Sequence, residues 1–184
     1  KNLPFTFDAA TDASVAAAAA SLAGVSRGDV VLDGCCGSGT FVHAAATRGA
    51  SRVLGLDSNP ICVAGAAANL RHTRLAPAER AGRVAILSGD ARSAASALRG
   101  HPPPTVLLSS LPFGRNFRVP HAGFLAEVLA GLAGASQESA RACFVSGESI
   151  RDELERAGFE LLEEVPVFAR RKSRAARVSL ACLR

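Results

Sequence analysis

At 184 residues, with 48% hydrophobic and 20% charged side chains, the chain is long enough to bury a core and too apolar to be disordered. Its longest apolar stretch, around residues 16–20, is alanine-rich and interrupted by Ser21, which excludes a membrane-spanning helix. The net charge of +5 favours a nucleic-acid partner held through phosphates, against the plainer reading of an arginine-rich solvated surface.

Residues 1–8 read as an extended segment in which Pro4, Phe5 and Phe7 can pack. Thr11 or Asp12 can cap a helix over 12–23, with Gly24 as its stop. After the turn at Arg27-Gly28-Asp29, the apolar run 30–33 predicts a first strand covered on both faces. A glycine-rich turn follows, and residues 38–48 form a crossover helix stopped by Gly49. A second strand over 52–57 ends in Asp57, and Pro60 at the first helical position opens a helix to about residue 71. Beyond a loop at 75–83, residues 84–87 predict a third strand, and 91–98 a short helix behind Asp90. The stiff connector His101-Pro102-Pro103-Pro104 leads into a fourth strand over 105–109, ending at Ser110. A loop at 115–120, a helix over 123–133, a strand over 142–145 and a helix over 149–157 closed by Gly158 come next. The last two runs, 159–168 and 176–183, read as an antiparallel hairpin around a basic turn at 170–174.

Strands alternating with helices imply right-handed crossovers and a parallel sheet. The expected architecture is α/β: a Rossmann-like, doubly wound, seven-stranded sheet with an antiparallel C-terminal hairpin. The reading is one domain over residues 1–184, with 1–28 an N-terminal extension and helix. The chain lacks an initiating Met, which implies a piece of a longer protein. Lys1-Asn2 leads directly into Leu3-Pro4-Phe5 without a secretory signal, so the expected location is intracellular: cytoplasm, nucleus or an organelle. The five cysteines (Cys35, Cys36, Cys62, Cys143, Cys182) lack CxxC spacing and read as reduced small hydrophobes, which fits a reducing compartment. No metal site is expected.

In such a sheet a ligand binds at the C-terminal ends of the strands, beside the first strand. Asp33, Asp57, Asp90 and Ser110 stand there. Gly37 and Gly39 let the turn approach a ligand while the free N–H groups at the helix start point toward it. Asp33 can orient that turn or a ligand amine. Asp57 can accept ribose hydroxyls or merely cap a helix. Asp90 can receive the exocyclic amine of adenine or, again, cap. Ribose acid and adenine acid on neighbouring strands describe an adenosine site. The glycine order is not G-x-G-x-x-G, and no Gly-Lys-Ser/Thr is present, which speaks against a dinucleotide oxidoreductase and a P-loop.

The run Asp33-Gly34-Cys35-Cys36-Gly37-Ser38-Gly39-Thr40-Phe41 resembles the first motif of class I S-adenosylmethionine-dependent methyltransferases. More narrowly it is similar to the D-P-x-C-G-S-G-T-F form of the RNA methylase family. That family includes THUMP-containing enzymes that methylate guanine N2 in tRNA, and large-subunit rRNA methyltransferases. Gly55-Leu56-Asp57-Ser58-Asn59-Pro60 resembles its second motif, Ser88-Gly89-Asp90-Ala91-Arg92 its third, and Leu111-Pro112-Phe113-Gly114-Arg115 its fourth. The resemblance spans about residues 10–183.

It implies S-adenosyl-L-methionine as cofactor, held by Asp33, Cys35, Gly37, Gly39 and Thr40 at the methionine end, Asp57 and Ser58 at the ribose, and Asp90 and Ala91 at the adenine. Ser110, Leu111, Pro112 and Phe113 would hold the target base: a polar side chain and a carbonyl accept from its NH2 while the ring stacks. RNA, tRNA or rRNA, is the implied substrate, with Arg115, Arg118, Arg170, Arg171, Lys172 and Arg174 as phosphate contacts. No THUMP-like module is visible, so selection is expected from an upstream RNA-binding domain, a partner protein or the basic turn. The sequence departs from the family at two places. Gly34 replaces a proline. Ser110 replaces Asp or Asn and leaves three outcomes: a modified acceptor site, a different target atom, or a non-catalytic relative that binds RNA or scaffolds.

Overall fold

The computed structural model describes residues 3–6, 10–73, 75, 77–78, 81–112, 120–167 and 176–184. In chain order the elements are α1 (Ala13–Leu22), β1 (Val30–Asp33), α2 (Thr40–Thr47), β2 (Arg52–Asp57), α3 (Pro60–His72) and β3 (Val84–Ser88). A 3₁₀ turn (Ala91–Ser93) and α4 (Ala94–Ala97) follow, then β4 (Val106–Ser110), α5 (Phe124–Ala135), β5 (Arg141–Ser146), α6 (Arg151–Arg156), β6 (Phe159–Val167) and β7 (Ala176–Leu183).

The seven strands form one sheet in the order β3-β2-β1-β4-β5-β7-β6. The first five are parallel, and β7 runs antiparallel to both β5 and β6. This is the doubly wound sheet with a terminal hairpin that the element pattern implies. Successive strand residues face opposite layers. Val31, Val53 and Val106 pack under α1, α2 and α3, while Leu32, Leu54 and Leu107 pack under α4, α5 and α6. Two covered faces explain why the central strands are continuously apolar rather than alternating.

Local chemistry sets the boundaries. Asp12 caps α1, its Oδ1 accepting from Ser14 N at 2.7 Å, and Gly24 reverses the chain at φ 63°. Asn59 caps α3 ahead of Pro60. Three elements differ from expectation. The crossover helix α2 starts at Thr40 rather than Ser38, because Gly39 sits in the left-handed region at φ 85° and cannot continue a helix. The helix expected over 91–98 divides into the 3₁₀ turn and the single turn of α4. Helix α6 begins two residues late, after the Ser149 hydroxyl has been taken by Glu164.

Arg177 stands near the start of β7 and Arg184 just past its end. Each is ion-paired, Arg177 with Glu164 and Arg184 with Glu160. Residues 7–9, 113–119, 168–175 and, in the loop expected at 75–83, residues 76, 79 and 80 lie outside the described residues, and with them the placement of Phe7, Phe113, Arg115, Arg118, Arg170, Arg171, Lys172 and Arg174. Among the described residues no helix is long and apolar enough to cross a membrane.

Candidate active site

The site grows from a difference in strand length. Asp33, the last residue of β1, is paired with Gly55, so β2 projects Leu56 and Asp57 beyond it. The glycine-rich turn leans on that projection. Cys36 N donates to Leu56 O at 2.9 Å, and Gly37 N donates to Asp57 Oδ2 at 2.8 Å. The three turn glycines do different work. A Cβ on Gly34 would run into the buried Leu132 side chain of α5, so this position serves helix packing. Gly37 sits at φ 50°, and a Cβ there would meet nothing within 4 Å: the backbone is bare toward open space. Gly39 supplies the left-handed turn that starts α2. Thr40 begins that helix, its hydroxyl 3.2 Å from the Ser38 hydroxyl.

Asp33 is 1% exposed. Its Oδ1 accepts from Ser109 Oγ at 2.8 Å and, at a long 3.4 Å, from Cys35 N. Its Oδ2 is buried, with no hydrogen-bond partner among the described residues. Burial pushes the carboxyl up to about 7; Ser109 and the Cys35 N–H pull it down, and the Asp57 charge pushes it further up. An acceptor left open inside a protein is a costly arrangement, and a ligand donor removes the cost.

Asp57 already holds two backbone N–H groups, from Gly37 and Asn59, one on each oxygen, with the second lone pair of each still free. Ser58 is exposed beside it. Of the two roles expected for it, Asp90 shows the cap. It caps the 3₁₀ turn through Arg92 N at 2.9 Å, and its carboxylate is gripped by the Arg92 guanidinium at 2.7–3.1 Å, which holds it below the usual carboxylate range. Ala91 is buried under α5, whose Gly131 backbone approaches too closely for any Cβ. Along α5 an open depression of about 620 Å³ runs from Asp90 and Arg92 to Glu127 and Gly131.

The acceptor segment lies on the next strand. Leu111 is buried, and its N–H donates to Val145 O at 2.9 Å, extending the β4–β5 ladder one residue past Ser110. Ser110 and Pro112 are half-buried; no hydrogen bond to the Ser110 hydroxyl occurs among the described residues. Of the cysteines, all free, Cys35 borders the site. Burial pushes its thiol far above the ordinary range, and the charges of Asp33 and Asp57 add to that, so it is no nucleophile at neutral pH. Among the described residues no group of His, Cys, Asp and Glu could hold a metal ion.

Two residues of the site were missed in the sequence. Asn69, buried on α3, accepts from Phe5 N through Oδ1 and donates through Nδ2 to Phe5 O and Ser38 O. It thereby ties the N-terminal segment to the glycine-rich turn. Ser109 joins the acceptor strand to Asp33. A hydroxyl inside an otherwise apolar buried strand was the available signal for Ser109; nothing local marked Asn69.

The strand order, the reversed seventh strand and the cluster of turn and acids define a class I methyltransferase. Residues 2–119 match the UPF0020 family, described as RMKL-like, methyltransferase domain, and the chain belongs to it. S-adenosyl-L-methionine is the cofactor of this class, and the residues present fit such a group: a buried carboxylate oxygen of Asp33 without a donor among the described residues, a bare backbone at Gly37 and an acid at Asp57. No curated protein matches the chain.

Among solved structures, TrmN from Thermus thermophilus is similar at 24% identity and a TM-score of 0.70, over 93% of this chain and 48% of that one. The chain thus spans about half the length of TrmN. Magnesium protoporphyrin IX methyltransferase (ChlM) from Synechocystis PCC 6803, with bound SAM, is similar at 16% identity and a TM-score of 0.67, over 93% of this chain and 77% of that one. The tRNA methyltransferase TrmK of B. subtilis is similar at 15% identity and a TM-score of 0.64, over 90% of this chain and 64% of that one. At these identities the likeness is one of fold.

Proposed function

We propose that this domain transfers a methyl group from S-adenosylmethionine to an exocyclic amine of an RNA base, guanine N2 of a tRNA or rRNA being the target. The observation that carries the reading is the buried Asp33 oxygen with no donor among the described residues, at the end of β1, with the Gly37–Asp57 contact on the neighbouring strand β2 and the segment Ser110 to Pro112 at the end of the other neighbour, β4. When bound, the cofactor supplies an electrophilic sulfonium methyl. Asp33 receives its ammonium, and Asp57 its ribose hydroxyls, without losing the turn N–H groups already bonded. Asp90 serves the adenine amine once the Arg92 guanidinium gives way.

On the acceptor side, Ser110 and the carbonyls behind it accept from the target NH2 and aim its lone pair, with Phe113 stacked on the base. The methyl group so supplied would pass to the target nitrogen, which would give its proton to water, with a neutral thioether as the leaving group. The basic residues Arg170, Arg171, Lys172 and Arg174 follow Val167 and precede Ala176. Arg177 pairs in register with Ser146 at the end of β5, so both stems of that turn rise from the edge of the sheet that carries the site. The position of those stems supports phosphate contacts there, and Arg115 and Arg118, which follow the segment Ser110 to Pro112 in the sequence, are the other proposed contacts.

Calorimetry with S-adenosylmethionine, followed by transfer of labelled methyl to total RNA, tests the proposal. Binding with transfer supports it, and no binding at millimolar cofactor overturns it. Ser110 favours a second reading, a subunit that binds without transferring. Binding without transfer, with activity appearing in Ser110→Asp, would establish that reading.

A further inference from the structure

Ser109 is fully buried in β4, at the point where the two halves of the site touch. Its hydroxyl donates to Asp33 Oδ1 at 2.8 Å and accepts from Cys35 N at 3.2 Å. One side chain therefore fixes both the acid at the end of β1 and Cys35 in the turn behind it, from a position 76 residues after Asp33. Among the described residues Asp33 has no other short hydrogen bond, and its second oxygen has no partner. We propose that Ser109 is a positioning residue that holds Asp33 with Oδ1 occupied and Oδ2 free, so that the free oxygen receives the ammonium of the cofactor's amino-acid end.

The inference deepens the proposed function and rests on it. Turning Oδ1 toward Ser109 decides which oxygen is left for the ligand. The same hydrogen bond favours the charged carboxylate, the form that pairs with an ammonium. The groups facing Asp33 are few: Asp57 on β2 opposes its ionisation, the neutral Cys35 thiol belongs to the turn, and β4 contributes Ser109 itself. Loss of the hydroxyl should leave Asp33 protonated to a higher pH. The cofactor's ammonium then loses its partner, while the adenosine end, held by Asp57 on another strand, keeps its own.

The test is calorimetric binding of two probes from pH 6 to pH 8.5 to the wild type, Ser109→Ala and Ser109→Thr. S-adenosylhomocysteine carries the ammonium; 5′-methylthioadenosine lacks the amino-acid end. The expected result is an S-adenosylhomocysteine affinity that rises with pH, with its midpoint moved up by about one pH unit in Ser109→Ala. Ser109→Thr, which keeps the hydroxyl, should restore the wild-type midpoint, and 5′-methylthioadenosine should bind all three proteins alike. An unmoved midpoint, or equal losses for both probes, would reduce Ser109 to packing and overturn the inference. If Ser109→Ala does not fold, a wild-type profile identical for the two probes overturns it equally. Failure of the wild type to bind either probe would instead strike the proposed function.

Discussion

Two buried aspartates flank β1, and they have opposite fates. Asp29, before the strand, is 6% exposed and completely satisfied: Ser26 N and Oγ, Thr105 Oγ1 and the Arg141 guanidinium all donate to it. Burial alone would raise its pKa, but those donors hold it below the ordinary carboxylate value. Asp33, at the other end, is buried more deeply, receives one short hydrogen bond and keeps an oxygen with no partner. The strand, the residue type and the burial are shared; the donor supply differs. A carboxylate given every donor it can use is a rivet between β1, β4 and β5. One that is denied a donor stores free energy that a ligand can release.

The largest expected effect is on pH dependence. Asp33 titrates at about 7 in the folded chain against 3.8 in the unfolded, so between those values the folded state holds the extra proton. Unfolding free energy should therefore fall as pH rises through this window, by about 1.4 kcal/mol per unit and about 4 kcal/mol in all. Denaturation of wild type and Asp33→Asn across the window isolates this slope, which the variant should lack. Asp29 acts with the opposite sign. Its contribution is present at neutral pH and is lost as pH falls below the ordinary carboxylate range.

Next in size, Asp29→Ala should cost about 3 kcal/mol in urea unfolding, because Arg141 and Thr105 lose a shared acceptor. Cofactor affinity should not change; a variant that unfolds normally but binds weakly would collapse the contrast between rivet and site. Asp57→Ala should weaken cofactor binding by about 2 kcal/mol, read by calorimetry, with a smaller effect on melting, since Gly37 N and Asn59 N can turn to water. Smallest is Asp12→Ala. This exposed carboxylate does nothing but cap α1, and its removal should lower stability by about 1 kcal/mol and leave binding and pH slope alone.

Much of this was legible beforehand. Apolar runs covered on both faces, caps at Asp12 and Asn59 and glycines at helix ends are local signals, and they placed the strands and most helices within two residues. The acids at the ends of β1 and β2 and behind β3 were legible for the same reason: a strand that stops at a polar residue announces its edge. The late start of α2 was not, because a helix-forming composition does not reveal that Gly39 adopts positive φ. Asp90 shows a second limit. Its capping role is written in its neighbours, but the grip of the Arg92 guanidinium depends on where the side chain turns, against Phe124 and Glu127 of α5.

The sequence by itself determined the order of elements, the class of the fold and the residues that gather at one edge of the sheet, because hydrophobic period and turn chemistry act over a few neighbouring positions. Only the tertiary structure decided what each of those residues is for. Thr105 and Arg141, which complete the donor set of Asp29, and Ser109, which takes one oxygen of Asp33, all lie more than seventy positions away. Hydrogen-bond supply is set by how the sheet is stacked, so of two aspartates at the two ends of β1 one is a rivet and the other keeps an oxygen with no donor among the described residues.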